Sequence, residues 1–179
     1  MTAVVAIAGA IASGKSTLAR GLADRWSCPR AAFGRLVAHE AAARRSSTER
    51  DGLQAIGSNL IEELGWREFC RRTLELAGAD WSTAPLVIDG LRHRAALDTL
   101  RAHVAVAPVS LVLVTCERST RSHRQLARGA TREDIRRWEQ DPTERELGEL
   151  AELADAVVSG EAPVSVAIEQ VERALRGPA

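Results

Sequence analysis

Short apolar runs alternate along the chain with longer stretches in which apolar residues recur every three or four positions. The run Val4–Ala8 opens the series, and similar runs lie at 85–90, 109–115 and 154–158. Runs without alternating polar residues are typical of strands buried on both faces, as in a parallel sheet covered by helices. A weaker run at 29–34 predicts one more short strand, which ends at a glycine.

The stretches between these runs have helical spacing. Apolar residues from Leu53 to Leu64 mark one face of a helix that begins near Thr48 and ends at Gly65. The full set of predicted helices spans 17–26, 35–45, 48–64, 66–76, 92–104, 117–128, 131–140, 143–153 and 164–175. Strands that alternate with helices predict an α/β fold, and its ligands should bind at the carboxyl ends of the parallel strands.

Residues 9–16, which lie between the first strand and the first helix, fit the phosphate-binding pattern G-x-x-x-x-G-K-[ST] of a P-loop. Gly9 and Gly14 allow the tight turn, so that backbone N–H groups and the helix N-terminus point at phosphate oxygens. Lys15 offers its charge to the β- and γ-phosphates, and the Ser16 hydroxyl is placed to bind Mg²⁺. The predicted nucleotide-binding residues are Gly9, Ala10, Ile11, Ala12, Ser13, Gly14, Lys15, Ser16 and Thr17.

Lys15 is the only lysine of the chain, and every other strong base is arginine. A compact ammonium group inside a phosphate-filled loop is not replaceable by a planar guanidinium, which favours a functional role for this lysine; coincidence is the alternative. A GTPase is disfavoured, because its guanine-binding [NT]-K-x-D motif requires a second lysine.

Composition narrows the function classes further. The 24 basic and 24 acidic residues give no net charge, so nucleic acid is not the expected partner. Cys28, Cys70 and Cys116 lie far apart, which predicts neither a disulfide framework nor a zinc site. No apolar stretch is long enough to span a bilayer, and the first strand begins at once. We therefore expect a cytoplasmic enzyme with a single domain over residues 1–179.

A second group of chemical residues follows the strand at 85–90. Asp89 lies at its carboxyl end, where it can hold Mg²⁺ or accept a proton from an attacking hydroxyl; a turn-forming Asp-Gly is the alternative. Arg92, His93 and Arg94 are predicted to lie on the first turn of the next helix. We expect Arg92 to clamp an acceptor phosphate, whereas His93 is interpreted as an exposed helix residue.

Four arginines share one face of the helix predicted at 117–128, namely Arg118, Arg121, Arg124 and Arg128. One interpretation is a cationic lid that closes over a triphosphate, with Arg124 and Arg128 in catalysis and Arg121 in nucleotide binding. A solvated charged face is the alternative.

Residues 34–80 supply candidates for an acceptor site. Arg50 and Gln54 are four positions apart on one helix, a pair suited to a phosphate and a base edge. Surface positions are the alternative. Trp66 and Trp81 are able to stack on a base, although packing in the core or at its rim is the preferred interpretation.

Together with the P-loop, several further segments resemble those of P-loop nucleoside and nucleotide kinases. Within them the chain is most similar to the deoxynucleoside-monophosphate kinase and dephospho-CoA kinase group. The segments are Phe33-Gly34, Thr48–Arg50, Leu53-Gln54, Gly57, Val87–Arg92, Trp138, Asp141, Glu144–Glu146 and Ala154–Val158. One departure is Arg35, which stands where many relatives have an acidic residue.

The resemblance implies a three-layer P-loop kinase fold, with a five-stranded parallel sheet in the order 2-3-1-4-5 and helices on both faces. It implies ATP and Mg²⁺ at the P-loop, acceptor-binding helices at about 34–80 and a short helical lid at about 117–140. Ser16 and Asp89 would then hold the metal. The acceptor site would comprise Phe33, Arg35, Arg50, Gln54 and Arg92. Asp89 and Arg92 would also belong to the catalytic rim, where they would act together with Lys15.

The leading hypothesis is an ATP-dependent phosphotransferase, a monomer or homodimer, that acts on a small acceptor such as a (deoxy)nucleoside monophosphate. A dephospho-CoA kinase-like enzyme is an alternative within the same class. A regulatory P-loop ATPase without an acceptor and a kinase of nucleic-acid ends are alternatives from other classes.

Overall fold

In the part of the chain that the structure describes, five parallel strands form one sheet. The computed structural model describes residues 3–44, 50–140 and 142–176, with side chains for all of these except 50, 51 and 142–145. The strands are β1 (Val4–Gly9), β2 (Arg30–Ala32), β3 (Leu86–Leu91), β4 (Val109–Thr115) and β5 (Ala156–Ser159). Their order is β2-β3-β1-β4-β5, which confirms the predicted α/β class and strand order.

Helices cover both faces of this sheet. They are α1 (Lys15–Trp26), α2 (Phe33–Ala43), α3 (Arg50–Glu75), α4 (Arg94–His103), α5 (Arg118–Leu126), α6 (Arg132–Glu139), α7 (Pro142–Glu152) and α8 (Val164–Leu175). Val5 and Ile7 of β1 pack with α1 and α8, while Val4, Ala6 and Ala8 pack with α2, α3, α4 and α7. Successive side chains of a strand point to opposite faces, so the apolar run of β1 supports two hydrophobic cores at once.

The second strand is shorter than predicted, because β2 ends at Ala32 and Phe33 already begins α2. As the edge strand, β2 pairs with β3 only over Arg30–Ala32. The alanine-rich sequence that follows favours helix, and it takes Phe33 and Gly34 into its first turn.

Two helix boundaries bear on the site. Gly65 has φ 69° and ψ 163° within α3, so the helix breaks there, as the sequence predicts, and resumes at once. Its predicted start at Thr48 lies outside the described residues. Helix α4 begins at Arg94 rather than Arg92, because His93 is extended, with φ −118° and ψ 132°. The prediction that Arg92 and His93 belong to its first turn is therefore wrong.

Helices α5 and α6 follow the carboxyl end of β4, over the residues for which a lid is predicted. A capping box begins α6, in which the Thr131 hydroxyl accepts from the Asp134 N–H and the Asp134 carboxylate accepts from the Thr131 N–H. Within the described part of the chain, none of the helices has the length and apolar character that crossing a bilayer requires.

Candidate active site

The loop between β1 and α1 has the conformation that its glycines permit. Gly9 and Gly14 have φ 155° and 104°, and Ala12 has φ 61°, so the chain turns tightly and Gly14 caps α1. A Cβ at Gly9 would stand 2.6 Å from the Val114 carbonyl oxygen. The Lys15 Nζ donates to the Ala10 carbonyl at 3.0 Å, so the ammonium group lies across its own loop.

A second loop, which sequence reasoning missed, packs directly on this one. A Cβ at Gly160, just after β5, would stand 1.7 Å from the Ser13 carbonyl oxygen. The backbone of Gly160 therefore fits against the P-loop only because it lacks a side chain. Nothing in the local sequence except the glycine itself indicates this contact.

Asp89 lies beside the P-loop at the carboxyl end of β3, as the strand order requires, and its side chain is buried. The Ser16 hydroxyl donates to Oδ1 at 3.2 Å, and the Arg30 guanidinium donates to Oδ2 at 2.6 Å. Sequence reasoning missed Arg30 in β2. Its charge compensates a carboxylate that would otherwise be buried without a counter-charge.

Ser16 and Asp89 together fit a magnesium ion, because Mg²⁺ is commonly bound through one or two carboxylates in addition to substrate phosphates. Within the described residues, no cluster of three or more His, Cys, Asp or Glu side chains is placed to hold a metal by itself. Ser13 contributes a further polar group, since its Oγ is buried in the P-loop and has no hydrogen-bond partner among the described residues. The predicted roles of Ser16 and Asp89 stay predictions with geometric support.

One cavity of about 290 Å³ adjoins the P-loop on the side of β4 and β5. Its walls include Ala12, Gly14, Thr17, Arg124, Arg128 and Gly160. The predicted lid arginines Arg124 and Arg128 are thus brought to the P-loop. Backbone from two loops and two guanidinium groups form a cavity that suits a phosphorylated ligand.

Arg124 is fixed in this cavity by backbone contacts. Its guanidinium donates to the carbonyl oxygens of Ala12 at 3.1 Å and Gly160 at 2.9 Å. It also approaches the Cys116 Sγ at 3.5 Å. Burial nevertheless raises the pKa of the Cys116 thiol above its ordinary value, so the thiol stays protonated at neutral pH and is a poor nucleophile.

The other two arginines of the predicted stripe face away from this cavity. Arg118 pairs with Glu139 of α6 at 2.6 Å, and this hydrogen bond holds the pKa of the Glu139 carboxyl below its usual value. Arg121 lines a groove between α5 and α6 together with Glu139. The four arginines therefore divide into two pairs, and the assignment of Arg121 to nucleotide binding stays a prediction without geometric support.

A second cavity, of about 240 Å³, lies between α2, α3 and the start of α4. It brings together Phe33, Gln54 and Arg92, three of the predicted acceptor-site residues. Arg35 is exposed on α2 and does not line this cavity. The Arg50 side chain lies outside the described residues, so both of these assignments stay predictions.

One wall of the second cavity, the aromatic wall, includes Phe33, Trp66 and Phe69. Phe33 stacks on Phe69 with ring centroids 5.6 Å apart, and Trp66 meets Phe69 edge-on at 6.0 Å. Trp81 lies elsewhere, against His103, which agrees with the packing interpretation.

His93 is another residue of this wall, and its interpretation as an exposed helix residue is wrong. Its side chain is only 25% exposed, and its ring lies 4.9 Å from that of Trp66. The extended backbone before α4 turns the ring toward α3 and α7 instead of solvent.

The P-loop at the end of β1, the parallel sheet of order 2-3-1-4-5 and the helices on both faces define the P-loop kinase fold. The AAA domain family (AAA_18) matches residues 5–149, and the chain belongs to this family. The closer assignment to the deoxynucleoside-monophosphate kinase and dephospho-CoA kinase group stays a prediction.

Several solved structures resemble nearly the whole chain. TT1252 from Thermus thermophilus is 21% identical, with 98% of this chain and 96% of that chain covered and a TM-score of 0.61. Shikimate kinase from Aquifex aeolicus is 17% identical (97% and 96% covered, TM-score 0.58), and a gluconokinase from Sinorhizobium meliloti is 15% identical (98% and 92%, TM-score 0.51). At these identities the likeness shows the fold. Among curated proteins, none matches the chain.

Proposed function

We propose that this protein is an ATP-dependent kinase that transfers the γ-phosphate of ATP to a small acceptor, a (deoxy)nucleoside monophosphate. The observation that carries the proposal is a hydrogen bond between two residues that are chain neighbours of the walls of the two cavities. Thr17 lines the first cavity and Gly90 lines the second, and the residues just before them in the chain, Ser16 and Asp89, share a hydrogen bond of 3.2 Å. Phosphoryl transfer requires two substrates positioned on either side of such a point.

Each protein group then has a defined task. The P-loop backbone, Lys15, Arg124 and Arg128 bind the triphosphate and stabilise the charge that develops on it during transfer. Mg²⁺ held at Ser16 and Asp89 would neutralise part of the phosphate charge. Asp89 orients the acceptor, whose oxygen attacks the γ-phosphorus while the bond to the leaving ADP breaks.

The walls of the second cavity favour a nucleotide as the acceptor. Phe33, Trp66 and Phe69 offer flat apolar surface, which suits a base ring, and Gln54 offers one amide for its polar edge. Arg92 provides a charged fork for the acceptor phosphate. A polyhydroxylated sugar acid would leave most of its hydroxyl groups against apolar walls, which is costly.

The proposal is tested by a screen of acceptors with ATP and Mg²⁺, in which ADP release is measured. The acceptors are nucleoside and deoxynucleoside monophosphates, dephospho-CoA, shikimate and gluconate. We expect release to depend on a nucleoside monophosphate and to be lost in Lys15→Ala. The matched control is Arg20→Ala, which removes an exposed cation from α1. ADP release that no acceptor changes would instead identify a regulatory ATPase.

A further inference from the structure

The imidazole of His93 is held by two residues from separate parts of the chain. Its Nδ1 lies 3.0 Å from both carboxylate oxygens of Glu146 on α7. Its ring rests against Trp66 of α3 at 4.9 Å. Because Glu146 contacts one ring nitrogen and Trp66 contacts the ring, the His93 side chain is held in one orientation, unlike a solvated surface histidine.

The contact with Glu146 determines which nitrogen carries the proton. An ionised carboxylate only accepts hydrogen bonds, so the Nδ1 of His93 is the donor. In the neutral ring Nε2 then carries the lone pair and is an acceptor. Within the described part of the chain Nε2 makes no hydrogen bond, and His93 lines the second cavity.

We infer that His93 is a specificity-determining residue of the acceptor site, whose Nε2 accepts a hydrogen bond from an exocyclic amino group of the acceptor base. Glu146 is the positioning residue that fixes its tautomer and orientation. This inference rests on the proposed function and narrows its acceptor class to amino-substituted bases, such as cytosine or adenine. His93 belongs to the aromatic wall through Trp66, which is where a base ring would pack.

The first test compares acceptors in which an oxo group replaces the exocyclic amino group and the adjacent ring nitrogen gains a hydrogen, namely CMP with UMP and AMP with IMP. We expect the wild-type kcat/KM to favour the amino member by roughly tenfold or more. In the oxo member, the base oxygen and the His93 Nε2 are both hydrogen-bond acceptors and would face each other. His93→Phe keeps a ring on Trp66 but has no nitrogen. It should bring the ratio near unity by lowering kcat/KM for the amino member.

A matched control is available within the chain. His103 also bonds through Nδ1, to the Thr99 carbonyl at 2.9 Å, and its ring lies 5.3 Å from Trp81. His103 does not line the second cavity. His103→Phe should therefore leave the amino-to-oxo ratio unchanged, while it reproduces any general effect of replacing a ring beside a tryptophan.

Glu146 is tested by two substitutions. Glu146→Ala should raise KM for the amino member with little change in kcat, because the ring loses its orientation but no catalytic group is removed. Glu146→Gln, whose carbonyl oxygen still accepts from Nδ1, should restore most of the preference. A purely structural role would lower activity toward both members of each pair equally and would overturn the inference.

A measurement on the unmodified protein keeps the inference falsifiable even if His93→Phe does not fold. The ¹⁵N NMR shifts of His93 should show a protonated Nδ1 and an unprotonated Nε2, and Nε2 should shift with CMP but not with UMP. A protonated Nε2, or equal wild-type kcat/KM for CMP and UMP, would overturn the inference and leave the kinase intact. No phosphorylation of any nucleotide would instead contradict the proposed function.

Discussion

Gly160→Ala is the sharpest test of how the nucleotide site is built. The new Cβ would stand 1.7 Å from the Ser13 carbonyl oxygen and 2.9 Å from the carbonyl carbon. Real Cβ atoms essentially never approach heavy atoms closer than 3.0 Å, so the oxygen must retreat by 1.3 Å, from 1.7 to 3.0 Å. Both partners are backbone, so no rotamer change relieves the contact.

The displacement should affect function more than stability. Ser13 belongs to the P-loop, and the Gly160 carbonyl also accepts from Arg124 at 2.9 Å, so one methyl group disturbs two elements of the proposed nucleotide site. A misplacement of about 1 Å is able to cost around a hundredfold in rate, and we expect kcat/KM for ATP to fall by about that factor. Overpacking should lower the free energy of unfolding by about 1–3 kcal/mol.

Calorimetric titration with a non-hydrolysable ATP analogue, steady-state ADP release and urea unfolding measure these effects separately. The matched control is Gly148→Ala on α7, where an added Cβ meets no atom within 4 Å. That control should bind and turn over ATP as the wild type does. Wild-type affinity for the analogue in Gly160→Ala would refute the close packing of the two loops.

Three further predictions concern charged groups. Arg30→Ala should destabilise the protein by about 3 kcal/mol in urea unfolding, because it leaves the buried Asp89 carboxylate without a counter-charge. Adding Asp89→Asn should recover part of the stability but not activity, since a neutral amide needs no counter-charge. A double variant no more stable than Arg30→Ala would contradict this. Arg124→Ala should raise KM for ATP about tenfold, because the carbonyl groups of Ala12 and Gly160 lose the guanidinium that holds the two loops together. An unchanged KM would show that Arg124 does not contribute to nucleotide binding. The carboxyl of Glu139 should titrate below 4.5 by NMR and return toward that value in Arg118→Ala. Because the pKa of Glu139 is lower in the folded than in the unfolded protein, the pair stabilises the fold at pH values above the unfolded-state pKa. This stabilisation is lost as the pH falls through the folded-state pKa. Identical titration in both proteins would show that the pair does not form.

The sequence predicted those parts of the fold that depend on local pattern. β4 and α8 have the predicted bounds, 109–115 and 164–175, because their apolar spacing has one interpretation. The P-loop conformation follows from its glycines. The strand order came from the resemblance, since periodicity does not determine which strands are neighbours.

The missed parts of the site depend on contacts between distant segments. Arg30 lies 59 positions from Asp89, and the Glu146 carboxylate lies 53 positions from the His93 ring. No spacing rule relates such residues, because their proximity depends on how distant segments of the chain pack together. Gly160 shows the same limit, because its close approach to Ser13 is visible only in three dimensions.

The division of arginines on α5 has a consequence for how substitutions combine. One nine-residue helix carries Arg124 against the P-loop and Arg118 against α6, about 9 Å apart along its axis. Because a short helix moves as a rigid body, a change that displaces Arg118 at one end of α5 also alters the position of Arg124 near the other end. Variants at Glu139 and Arg124 should consequently show epistasis in ATP turnover, although the two residues take part in different contacts of the same helix.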